Sequence, residues 1–179
     1  MSTMQPSEEQ TIRILSASVD PHLNHSRAQL LRHHGFDVTT SESIEHARDQ
    51  MKSSPFDVLI FGSTLTRDAC LELAEVFRES NSHGKIIEII PSPWEPVKNQ
   101  PDAIVVTTDE RSKLIGTIRE KVRKTTESKE HWRQLCGQAA VERDPEKLMQ
   151  LLQEIDRLLG ERDERRTKRL SRDEHSETS

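Results

Sequence analysis

The side chains with chemical potential gather early in the chain. Ser16, Ser18 and Asp20 place two hydroxyls and a carboxylate within five residues. Oxygen donors of this kind are the raw material of a magnesium site, or of nucleophilic chemistry where a base lies beside them. His22 and His25 follow at a helical spacing of three, but no third ligand lies in sequence range, so they read as surface histidines rather than a metal pair. His33 and His34 stand before a helix-ending Gly35, where an imidazolium suits the helix dipole. Ser63 lies in Phe61-Gly62-Ser63-Thr64, which lacks the second glycine of a G-x-S-x-G elbow. The six glycines include no pair and no phosphate cradle. Cys70 and Cys136 have no CxxC or Cys/His spacing around them. Asp20 itself is explained as an N-cap, with Pro21 in the first helical position. The residues therefore nominate no catalytic centre, no cofactor and no metal site, and the chain is expected not to be an enzyme.

The elements that position these residues alternate in type. Thr11 to Ser16 is a short apolar run that reads as a strand, and a helix with Leu23, Leu30 and Leu31 on its apolar face is expected from Pro21 to Gly35. Phe36 to Thr40 is a second strand, and Ser43 caps a helix carrying Ile44, Ala47 and Met51. Asp57 to Phe61 is apolar on both faces, as a central parallel strand covered by helices must be. Thr66 or Asp68 opens a third helix with Cys70, Leu73, Ala74 and Phe77 on one side. Lys85 to Ile90 is a fourth strand. Pro91 to Pro101 holds four prolines and reads as a loop, in which Trp94 either meets a partner or folds over the sheet edge. Ala103 to Val106 is a fifth strand. Thr107 and Glu110 have capping-box spacing ahead of a helix with Leu114, Ile115, Ile118 and Val122 inward. Strands alternating with helices predict one parallel sheet in a single α/β domain over residues 11–124, after a disordered N-terminus at 1–10.

Beyond Thr125 the pattern is helical only. Trp132, Leu135, Cys136, Ala139 and Ala140 share one face, and Arg143-Asp144-Pro145 breaks the run. Leu148, Leu151, Leu152, Ile155, Leu158 and Leu159 then form a stripe of about two heptads, short of the roughly three or four that make an independent coiled coil. The stripe needs cover from the preceding helix, the α/β domain or a second subunit, so a homodimer is one expectation. This helical extension takes in residues 125–160. Residues 161–179 have mixed charge and almost no apolar side chain, and a disordered tail is expected there.

Apolar and charged residues each make up 32%, and the net charge is −5. That balance gives no general attraction to nucleic acid or to an anionic membrane. The basic residues from Arg162 to Arg172 are matched six for six by acids in the same tail. No apolar run approaches the roughly 20 residues of a membrane span. The polar N-terminus lacks a signal peptide's pattern, so a cytoplasmic location is expected.

The segments ILSASVDP, LLRHHGFDVTTSES and PFDVLIFGSTL, in this order and spacing, resemble the receiver domain of two-component response regulators over about Ile12 to Val122. The resemblance implies a flavodoxin-like αβα sandwich with five parallel strands and a role in signal transduction. It also implies an acidic pair that holds magnesium after the first strand, a phosphoacceptor aspartate ending the third, a hydroxyl ending the fourth and a lysine ending the fifth. Here those positions fall on Ser18 and Val19, on Gly62, on Ile90 or Pro91, and on Thr107, with Asp20 the one neighbouring carboxylate. All depart from the pattern. The expected reading is a degenerate pseudo-receiver that binds a protein partner, independent of phosphorylation. Its candidate contacts are Trp94, Trp132 and the Leu148 to Leu159 stripe. The alternative is a nucleic-acid or transcriptional adaptor using the basic residues of the tail.

Overall fold

The computed structural model describes residues 11–93 and 101–173, with side chains placed as far as residue 160. The expected disorder of residues 1–10 and 174–179, and the role of Trp94, lie outside the described residues. Five strands, β1 (Arg13–Ala17), β2 (Asp37–Ser41), β3 (Val58–Phe61), β4 (Lys85–Ile90) and β5 (Ala103–Val106), form one parallel sheet in the order β2-β1-β3-β4-β5. Helices α1 (Pro21–His33), α2 (Ile44–Ser53) and α3 (Arg67–Ser80) connect the first four strands. A 3₁₀ turn at Thr107–Asp109 leads into α4 (Glu110–Val141), and α5 (Pro145–Asp173) follows. This is the five-stranded flavodoxin-like arrangement expected, with helices beyond it.

Strand alternation sends neighbouring residues to opposite faces, both covered by helices, which is why β3 is apolar throughout and β1 and β4 are largely so. Leu15, Leu59, Phe61 and Ile86 meet Ala47 and Met51 of α2 and Cys70, Leu73 and Phe77 of α3. Ile14, Ile60, Ile87 and Val105 meet Ala28 and Leu31 of α1 and Leu114 and Ile118 of α4 on the other face. The helix starts follow the sequence: Asp20 accepts from the amides of His22 and Leu23, Ser43 from His46, and Thr66 from Ala69. Gly35 ends α1 with a φ of 86°, a left-handed conformation that favours glycine.

Four expectations need correction. The inner face of α1 is Asn24, Arg27, Ala28 and Leu31, while Leu23 is 43% exposed. The buried polar pair is tolerated because a hydrogen-bond network satisfies it. Thr107 and Glu110 do not form a capping box, since Thr107 donates its hydroxyl to the Ile90 carbonyl and Glu110 takes Arg27. The helix that follows β5 does not stop near Lys124. Without a proline in reach it continues as α4 to Val141, although the chain divides after Val122 into two compact units. Residues 161–173 are helical, where disorder was expected. Glu, Arg, Lys and Leu are strong helix formers, and pairs such as Glu161/Arg165 and Glu164/Lys168 stand four apart.

In the second unit Asp144 caps α5 through the Glu146 amide, and Glu142 accepts from the Arg143 and Asp144 amides. Leu135 is buried, and Leu148, Leu151, Ile155 and Leu158 are half-buried. Among the described residues no helix is long and apolar enough to cross a membrane.

Candidate functional site

Ligands of open parallel sheets bind at the strands' carboxyl ends. Here that edge collects Ser18 after β1, Gly62 after β3, Ile90 at the end of β4 and Thr107 after β5. The Ser18 amide donates to the Ser41 carbonyl at 3.0 Å and the Gly62 amide to the Ala17 carbonyl at 2.8 Å, so the sheet's ladder extends past the strand ends and holds both residues close. Ser18 is 1% exposed. Its hydroxyl lies 3.1 Å from the Thr64 hydroxyl and accepts from the Asp20 amide at 3.3 Å.

These contacts fill the space in front of Gly62. A Cβ added there would lie 2.7 Å from Ser18 Oγ, 2.8 Å from Ser18 Cβ and 3.2 Å from the Ala17 carbonyl oxygen. A side chain at position 62 would therefore require Ser18 to shift. Val19 is 53% exposed and offers no oxygen ligand. Asp20 keeps a carboxylate, but its Oδ1 accepts from His22 and Leu23 at 2.9 and 3.0 Å as the cap of α1. Thr107 donates to the Ile90 carbonyl at 3.1 Å, tying β5 to β4. A magnesium ion demands several oxygen ligands in near-octahedral geometry. One capping carboxylate, a buried serine, a valine and a glycine do not fit it. Among the described residues no three His, Cys, Asp or Glu side chains converge as metal ligands.

The structure brings Ser18, Gly62 and the Asp20 amide together and leaves His22 and His25 exposed on the surface of α1. Ser63 is half-buried beside Gly62. The interface candidates Trp132, Leu152 and Leu159 are exposed at 41%, 43% and 38%. Sequence reading missed a polar network just beneath this edge. Ser16 donates to Asn24 Oδ1 at 2.7 Å, Asn24 Nδ2 donates to the Ser16 and Ser41 carbonyls, and Arg27 reaches Ser16 Oγ at 3.3 Å and Glu110 Oε1 at 2.5 Å. The spacing of Asn24, Arg27 and Leu31 at three and four was its signal, hidden because two of the three are polar. It also missed Thr64, which nothing local marks, and Glu88, a fully buried carboxylate in β4 in register with Phe61 and Ile104. A recess at the opposite edge, near Thr39, His46 and Gln50, shares no residue with this site.

No protein-family model matches the chain, and no curated protein sequence does. Solved structures match it well. A CheY-like response regulator receiver domain from Methanospirillum hungatei is 19% identical with a TM-score of 0.58, covering 65% of this chain and 98% of that one. A response regulator receiver protein from Sinorhizobium medicae is 21% identical with a TM-score of 0.57, over 65% and 98%. The response regulator TrrA of Thermotoga maritima, solved with Mg²⁺ and BeF, is 21% identical with a TM-score of 0.54, over 62% and 99%. Nearly the whole of each of these proteins is spanned, and the α/β unit of this chain has the fold of a CheY-like receiver domain.

Proposed function

We propose that this chain is a non-enzymatic regulatory protein of receiver fold that acts by binding another protein, without phosphoryl transfer. The observation that carries the proposal is Gly62 itself: it has no side chain to act as nucleophile after β3, and a Cβ there would press on Ser18 at 2.7 Å. Phosphoryl transfer rests almost wholly on positioning and charge neutralisation. The Asp20 carboxylate, which caps α1, and the Thr107 hydroxyl, which bonds to Ile90, leave little at this edge for either task. TrrA has also been solved in complex with the histidine kinase ThkA, which supports a signalling component as the partner.

The test is incubation of the full chain with a small-molecule phosphodonor and Mg²⁺, followed by intact mass measurement. The expected spectrum shows the unmodified mass alone. A stoichiometric, acid-labile adduct refutes the proposal.

A further inference from the structure

Two helices on opposite faces of the sheet carry stripes of opposite character and equal length. Along α1 the exposed positions His22, His25, Gln29, Arg32 and His33 recur at three and four and share one side of the helix. No acid stands anywhere in Pro21–His33, although the whole chain has a net charge of −5. Along α3 the exposed positions Asp68, Glu72, Glu75 and Glu79 recur at the same spacing. The stripes run from 22 to 33 and from 68 to 79, each about 17 Å at 1.5 Å per residue. Leu23 and Leu71, 43% and 41% exposed, add apolar surface to the two helices. Because α1 packs on the sheet face it shares with α4, and α3 on the face it shares with α2, the two stripes look away from each other and cannot meet within one chain.

The charged groups around α1 are committed elsewhere. Asp20 caps the helix, and Glu110 of α4 takes the buried Arg27. Arg119 of α4 donates to the His34 carbonyl and adds positive charge at that end. Arg13 of β1 and Asp37 of β2 pair on the other side of the sheet, where Arg13 lies over Phe56. On the acidic side, Glu72 is joined by Arg48 of α2, and Arg78 turns to Asp102.

We propose that α1 of one copy docks on α3 of the next in mild acid, so that the chain self-associates head to tail. Exposed imidazoles gain a proton below about pH 6.5, whereas carboxylates hold their charge down to about pH 4. Between those limits the α1 stripe becomes cationic and the α3 stripe stays anionic, at equal length. The two surfaces differ, so each contact leaves one stripe of each kind unused at the ends, and growth continues with concentration instead of stopping at two copies.

The test is sedimentation of the full-length chain over a concentration series at pH 7.5 and pH 5.5, with circular dichroism to check helix content. Relative to the species at pH 7.5, the chain at pH 5.5 is expected to gain mass steadily with concentration, and added salt to reverse the gain. His22→Gln/His25→Gln/His33→Gln and Glu72→Gln/Glu75→Gln/Glu79→Gln are each expected to keep their pH 7.5 mass at pH 5.5. An equimolar mixture of the two retains one intact stripe of each kind, and is expected to double in mass and stop there. A wild-type chain indifferent to pH or to salt, a variant that associates like its parent, or a mixture that fails to double or grows further overturns the proposal. Association driven by loss of net charge alone would survive both variants. A phosphoryl adduct at the sheet edge would leave this contact standing, and a chain indifferent to pH would leave the reading of Gly62 standing, so the two proposals fail separately.

Discussion

Alanine at position 62 would add one methyl group beyond β3, and its effect has opposite signs under two pictures of that edge. Gly35 is the one positive-φ residue among those described, so the backbone at Gly62 admits alanine. Where space allows, such a Gly→Ala change stabilises by about 0.4–1 kcal/mol by restricting the unfolded chain. Here the new Cβ lies 2.8 Å from Ser18 Cβ, while carbon pairs sit comfortably at about 3.5 Å or more, so Ser18 must retreat by about 0.7 Å. Ser18 Cβ moves only with its backbone, which the Ser41 carbonyl holds at 3.0 Å. Overpacking of this kind costs about 1–3 kcal/mol, a sizeable part of a domain stability of roughly 5–15 kcal/mol. Urea unfolding followed by circular dichroism reads the change as a lower midpoint at constant slope. Ser18→Gly in the same background removes both crowding atoms and gives up the hydroxyl's two contacts, with Thr64 and the Asp20 amide, each worth about 1 kcal/mol. The double-mutant cycle is therefore expected to show a favourable coupling of about 1 kcal/mol or more. An alanine variant as stable as its parent, or a cycle without coupling, refutes the closure of this edge.

Other outcomes follow from single contacts. Arg27→Met leaves Glu110 without its partner in a site where the two side chains are 2% and 15% exposed, and should cost about 3–5 kcal/mol in denaturant unfolding. Adding Glu110→Met should recover most of that loss. Asp20→Ala removes the cap of α1 and should cost about 1 kcal/mol, with no change in the heat of Mg²⁺ titration by calorimetry. Gly35→Ala forces alanine to a φ of 86° and should lower stability by about 1 kcal/mol in thermal unfolding.

Strand positions were legible because Val58–Phe61 is apolar on both faces and the other inner strands are largely so, and few local alternatives compete with that pattern. Asp20-Pro21, Ser43 and Thr66 marked helix starts through chemistry that acts within three residues. The inward face of α1 was misread because periodicity was counted over apolar side chains alone, whereas Asn24 and Arg27 are buried by virtue of partners on Ser16, Ser41 and Glu110 that are distant in sequence. The same limit hid the role of Ser18. That Gly62 lacks a carboxylate is written in the sequence; that Ser18 fills the space depends on how far β1 and β3 extend together. The extent of α5 was underestimated because residues 161–173 were judged by their charge and scarcity of apolar side chains, although most are good helix formers.

The Ser18 hydroxyl, shared between Thr64 and the Asp20 amide, has a broader consequence. It ties the turn after β3, through Thr64, to the approach to α1, through the Asp20 amide, so that a displacement of either reaches the other by way of one buried side chain.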